Sequence, residues 1–233
     1  MEKVNILAVE WLGMAMDNLK SLEKIPLISS IRRIQPKDLD WKKLPKTFEK
    51  WAKMVDKKVF AYEFFYKSNG HKVVGFLVEP RKGKNLPCII HNRGGSREFG
   101  AIDYGKLFSG RQEIAPLAMD GYIVVASQYS GNFGGEGVDK FGGKDIYDVL
   151  NLQKILKAYS RADSSKIGMM GTSRGGLMTL ISIAKVKWVK AAIAISAPTN
   201  QVTAAKFRKG WAGHQKKMFG GSLKEKIKRS PVY

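Results

Sequence analysis

The chain has 233 residues, with 41 Lys+Arg against 20 Asp+Glu for a formal charge of +21, 44% hydrophobic and 26% charged residues. That balance suits one globular domain of about 200 residues with an extension, and it excludes collagen-like, disulfide-rich and intrinsically disordered chains. The single cysteine, Cys88, cannot form an internal disulfide and suits a reducing compartment, so a cytoplasmic location is expected. The apolar stretch 6–16 is broken by Glu10. It is shorter than the roughly 20 residues of a membrane span, and no basic leader or small-residue cleavage site marks a secretory signal. Lysines run along the whole chain, crowding at 32–58 and 206–229. Without zinc spacing or an RNA-binding aromatic signature, this is read as a solvated basic surface. It predicts weak, salt-sensitive attraction to polyanions and no specific nucleic-acid partner.

In chain order, the near-helical spacing of Leu7, Trp11, Met14, Leu19 and Leu22 predicts a helix over 5–24. Pro26, Pro36 and Pro45 then punctuate the segment, and Asp40, Trp41 and Leu44 read as a short helix or turn. Residues 1–57 are thus expected to be a helical extension ahead of a main domain over 58–233. From Val59 the pattern becomes strand-like: 59–66 and 71–78 flank Ser68-Asn69-Gly70 as a hairpin. Short apolar runs at 86–91 and 122–128 read as strands buried on both faces, with a helix at 112–119 between them. A glycine-rich loop over 131–143 precedes a helix at 144–159, with Ile146, Val149, Leu152 and Ile155 on one face. A strand at 166–170, a helix at 175–185 and a strand at 191–196 follow. Strands alternating with helices at this spacing predict an α/β fold with a mostly parallel sheet.

Gly171-Thr172-Ser173-Arg174-Gly175 satisfies G-x-S-x-G. Five residues alone say little, but a strand running in and a helix running out are the setting of a nucleophile elbow. Flanking glycines allow the sharp turn, Ser173 is the candidate nucleophile, and the Arg174 amide faces a developing oxyanion. Asn92-Arg93-Gly94-Gly95-Ser96 follows a buried strand, where hydrolases of this architecture place a second oxyanion donor; Gly94 and Gly95 are the candidates. Arg93 is either part of that loop's function or a surface charge. Asp145 and Asp148, at the start of a helix, are read as structural.

These blocks together resemble the catalytic domain of the prolyl oligopeptidase family of serine peptidases, within the α/β-hydrolase superfamily. The similarity runs from about Val59 to the end. It includes Val74-Gly75-Phe76-Leu77, Asn92-Arg93-Gly94-Gly95, Gly131-Asn132-Phe133-Gly134-Gly135, Gly171-Thr172-Ser173-Arg174-Gly175-Gly176 and Ser230-Pro231. The resemblance implies an α/β-hydrolase fold in which Ser173 attacks a peptide or acyl carbonyl to form an acyl-enzyme. Some relatives hold the oxyanion with a tyrosine beside the glycine pair; Arg93 stands there here, so a backbone donor from Gly94 or Gly95 is expected. No cofactor or metal is implied, and the partner is a peptide or small acyl substrate. An esterase or lactone hydrolase is the alternative within the class, and a non-catalytic degenerate hydrolase the alternative outside it.

A serine nucleophile needs a base and an orienting acid, which in this fold follow it as acid and then histidine. After Ser173 the sole histidine is His214 and the sole carboxylate side chain Glu225, in the reverse order. His214 is therefore a poor candidate base, and His71 and His91 read as structural. The expectation is a hydrolase fold lacking its last strands and final helix, with an unpaired sheet edge and exposed apolar surface. A gene fragment explains this best; completion by a second chain or loss of the catalytic partners are the alternatives.

Overall fold

The computed structural model describes residues 6–40, 42, 44–108 and 113–233, with the side chains of 6–12 and 47 left aside. It opens with helix α1 (Ile6–Glu23), strand β1 (Ile28–Ile34) and helix α2 (Lys46–Asp56). The hairpin strands β2 (Val59–Ser68) and β3 (His71–Pro80) follow. Asn69 (φ 50°) and Gly70 (φ 83°) are both left-handed, as a tight two-residue hairpin turn requires. Next come β4 (Leu86–Asn92), α3 (Tyr104–Phe108), α4 (Ile114–Met119) and β5 (Ile123–Ser127). The Gly-rich loop leads to α5 (Ile146–Ala158), β6 (Ala162–Thr172), α6 (Arg174–Lys185) and β7 (Val189–Ile195). Helices α7 (Ala204–Phe207), α8 (Trp211–Phe219) and α9 (Leu223–Ile227) complete the order.

The seven strands form one sheet in the order β1-β2-β3-β5-β4-β6-β7. Strands β5, β4, β6 and β7 run parallel, and β1, β2 and β3 join them antiparallel. This is the expected α/β sheet with helices on both faces. One core holds Leu22 of α1, Val149 and Leu152 of α5 and Leu177 of α6 against Phe64, Ile90 and Ile167. The other packs Ala52 and Val55 of α2 and Ile114 and Ala118 of α4 against Phe76, Val78 and Val124.

Two features of the first 57 residues differ in their legibility. Helix α1 falls within the expected 5–24 and ends one residue early at Glu23; Asn5 lies outside the described residues, as do Trp41 and Gln112. Strand β1 was not expected within a helical extension. Its isoleucines recur every third residue, and a register irregularity between Ile28 and Ser30 breaks the alternation that marks a strand. Ile28 joins the first core and Ile34 the second, so β1 ties this segment into the sheet.

At the opposite edge β7 pairs, among the described residues, with β6 alone, and its residues from Lys190 to Ile195 are exposed, Ile193 by 55% and Ile195 by 41%. Between α4 and strands β4, β6 and β7 lies an apolar groove of about 670 Å³, lined by Ile89, Leu117, Ile193 and Ile195 among others.

Candidate active site at the bend between β6 and α6

Ser173 is the one residue between β6 and α6, and its backbone sits at φ 56°, ψ −120°. Positive φ is costly for a residue with a side chain, of order 1–3 kcal/mol, and persists only where the surroundings enforce it. Here the Ser173 amide donates to the Ile195 carbonyl (2.8 Å), and its own carbonyl accepts from the Leu177 amide (3.1 Å), starting the helix. Glycine is needed on both sides: a Cβ at Gly175 would collide with the Asn92 carbonyl oxygen, and one at Gly171 with the Gly175 carbonyl. The bend exposes Ser173 while Gly171 and Arg174 on either side are buried. The amides of Arg174, Gly175 and Gly176, in the first turn of α6, have no acceptor within the helix and give that end a partial positive charge.

The loop after β4 lies directly against the bend. A Cβ at Gly94 would stand 3.1 Å from the Thr172 carbonyl oxygen and 3.8 Å from the Ser173 Cβ, and Gly95 adopts φ +72°. Arg93 is wholly buried, which removes the surface-charge reading. Its guanidinium donates to the carbonyls of Gln128 (3.2 and 2.9 Å), Gly94 (3.2 Å) and Arg97 (3.0 Å). The Tyr129 hydroxyl donates to the Arg93 carbonyl at 3.0 Å. Burial pulls the Arg93 pKa down to about 10, which leaves it a cation at neutral pH. Arg93 thereby clamps the glycine loop from beneath.

The Arg174 side chain is also buried, between the rings of Tyr129 (4.5 Å) and Phe141 (4.9 Å). It donates to both oxygens of Asp139 (2.7 and 2.6 Å) and to Asp145 (2.7 Å). Burial works against the Asp139 carboxylate, but Arg174 and the amides of Arg97 and Phe141 outweigh it and hold its pKa at about 2. Burial raises Asp145 in spite of Arg174. Asp148 accepts from the amide and hydroxyl of Ser130 (2.8 and 2.7 Å). These carboxylates brace the loops that frame the bend, and among the described residues no hydrogen bond reaches the Ser173 hydroxyl.

Two cavities flank Ser173. One, of about 370 Å³, is lined by Gly95, Phe99, Phe141, Arg208, Trp211 and His214 among others. The second, of about 260 Å³, includes His91, Gly94, Gly100 and Glu113. Sequence reasoning set His214 aside, yet α8 brings it to the same cavity as Ser173. It stacks on Trp211 (4.7 Å between centroids, 21°) and meets Phe141 edge-on (5.2 Å). Burial, then Arg208 and Arg174, lower its pKa, and its buried Nε2 has no hydrogen-bond partner. Glu225, the other late candidate, instead pairs with Lys228 (2.8 Å) and Arg229 (2.6 Å). Burial presses the His91 pKa down to about 4. Neither imidazole is hydrogen-bonded to a carboxylate among the described residues, nor do three or more His, Cys, Asp or Glu side chains gather there as a metal set.

A serine at a strained strand-to-helix bend, above the carboxyl ends of parallel strands and beside a glycine loop, defines an α/β hydrolase. Residues 69–230 match the X-Pro dipeptidyl-peptidase (S15) family, and the chain belongs to that family. The uncharacterized peptidase YtmA of Bacillus subtilis (strain 168) is 32% identical over 121 residues, 52% of this chain and 44% of YtmA. Mouse dipeptidyl peptidase 8 is 27% identical over 164 residues, 59% of this chain and 17% of its own length. Among solved structures, Pyrococcus horikoshii acylaminoacyl peptidase superposes with a TM-score of 0.62 at 24% identity, covering 73% of this chain and 28% of that one. Prolyl oligopeptidase B from Galerina marginata gives 0.57 at 17% identity, covering 76% and 27%. These structural likenesses speak to the fold, and they include the family of peptidases that the motifs resemble. The chain spans less than half the length of each of these relatives.

Proposed function

We propose that the protein is a serine hydrolase of the peptidase type, in which Ser173 attacks the carbonyl of a peptide or acyl substrate. The Ser173 Oγ–carbon bond forms, the carbonyl oxygen takes the negative charge, and the leaving group departs with a proton to give the acyl-enzyme. The amides of Arg174 and of Gly94 or Gly95 hold the oxyanion; such donors are worth about 3–4 kcal/mol each in the transition state. The observation that carries this reading is the left-handed backbone of exposed Ser173 between two glycines that tolerate no side chain. The peptidase relatives favour a peptide substrate, and the single buried thiol of Cys88, its pKa pushed up to about 12, suits a reducing cytoplasm.

The hydroxyl proton has no hydrogen-bonded acceptor among the described residues, so reaction is expected to be slow at neutral pH. A fluorophosphonate probe, followed by intact-protein and peptide mass spectrometry, should leave one adduct on Ser173, and Ser173→Ala should leave none. An adduct elsewhere, or none after prolonged incubation, would overturn the proposal. The absence of a base at the hydroxyl favours one second reading, a non-catalytic hydrolase fold. That reading predicts a folded, monodisperse protein that takes no adduct.

A further inference from the structure

The two flanks of Ser173 differ in charge. Glu113 lines the smaller cavity, whereas the larger one is lined by Arg208 and Lys209 and, among the described residues, by no carboxylate. Arg174, which also lines the larger cavity, is paired with Asp139 (2.6 Å) and Asp145 (2.7 Å). Arg208 and Lys209 are exposed and, among the described residues, make no ion pair. The Arg208 guanidinium lies 4.3 Å from the centroid of the buried Trp211 ring. That stacking limits its freedom and leaves the edge of the fork open for a planar anion.

We propose that the Arg208–Lys209 side of the Ser173 cavity is a receptor for a carboxylate, so that the site selects acyl or peptide substrates bearing a carboxylate beside the bond to be cut. The inference rests on the hydrolase reading for the word substrate, while the anion preference itself is a property of the cavity. Phe99, Phe141 and Trp211 supply an apolar wall for the body of such a ligand, and the two cations fix its charged end.

Calorimetric titration of the full chain with N-succinyl-Ala-Phe amide and N-acetyl-Ala-Phe amide tests this without turnover. At about 50 mM salt the succinyl ligand should bind roughly fivefold more tightly, the scale of two exposed ion pairs. The advantage should shrink at about 500 mM salt, where screening acts over a few ångströms. It should vanish in R208E/K209E, both exposed positions that belong to neither hydrophobic core. Equal affinities at low salt, no binding of either ligand, or a preference that survives R208E/K209E would overturn the inference. Ser173→Ala should keep the preference, which separates the two proposals. Preference without a Ser173 adduct defeats the hydrolase reading alone, and an adduct without preference defeats the carboxylate receptor alone.

Discussion

A methyl group at position 175 would occupy the space of the Asn92 carbonyl oxygen, so β4 and the start of α6 approach closely only because that residue is glycine. Gly175→Ala should destabilise the protein by roughly 2–3 kcal/mol, read as a lowered urea midpoint, because backbone must move to admit it. Labelling of Ser173 should slow with it; unchanged stability and labelling would contradict the tight bend. Arg174 offers a second test. Arg174→Met leaves Asp139 and Asp145 buried without their cation, and should cost about 3–5 kcal/mol. At this scale the glycines and Ser173 were legible, since a bend of this kind demands small residues at fixed spacing. The roles of Arg93 and Arg174 were not. An arginine in a sequence reads as surface, and only the folded chain shows which carbonyls and carboxylates surround it.

Among the elements, the hairpin, the helices over 144–159 and 175–185 and the apolar strands were readable from period and turn chemistry. Strand β1 was hidden by its irregular register, and α8 by a polar face that carries only Trp211, Gln215 and Met218 inward. That helix matters, because it delivers His214 to the Ser173 cavity and its Trp211 ring stacks against Arg208. At the end of β3, Glu79 is fully buried; it accepts from the Tyr159 hydroxyl (2.9 and 2.8 Å) and Asn18 (2.9 Å) and faces Arg161 at 2.6 Å. Burial outweighs these partners and lifts its pKa to about 7 from 4.5. The folded state therefore holds this proton more tightly than the unfolded one. Its contribution to stability is greatest below pH 4.5 and declines as pH rises toward 7. Wild-type stability measured by urea titration should fall relative to Glu79→Gln across that window, by on the order of 3 kcal/mol in total. A difference that stays constant with pH would contradict the assignment.

For the whole molecule, two opposing features meet at β7. The chain carries a formal charge of +21, which keeps copies apart, and it exposes Ile193 and Ile195 beside an apolar groove at an open sheet edge. Screening shortens the reach of charge repulsion to about 8 Å at physiological ionic strength and further above it. Light scattering should therefore show self-association rising with salt, and Ile193→Lys should suppress it. A monodisperse protein at high salt would show that this face does not drive association. The unpaired edge was foreseeable from the order of motifs, because no strand pattern follows 191–196. The position of α8 over the elbow was not.

Among the described residues no base touches the Ser173 hydroxyl, and the proposed mechanism sets that oxygen beside the amides of Arg174 and of Gly94 or Gly95. The pH dependence of its labelling by a fluorophosphonate tests this most directly. The account predicts a slow rate that climbs with pH without levelling near neutrality, since deprotonation of the hydroxyl itself limits it, and no labelling of Ser173→Ala. A rate that is fast and reaches a plateau near pH 7, the signature of an engaged imidazole, would contradict it.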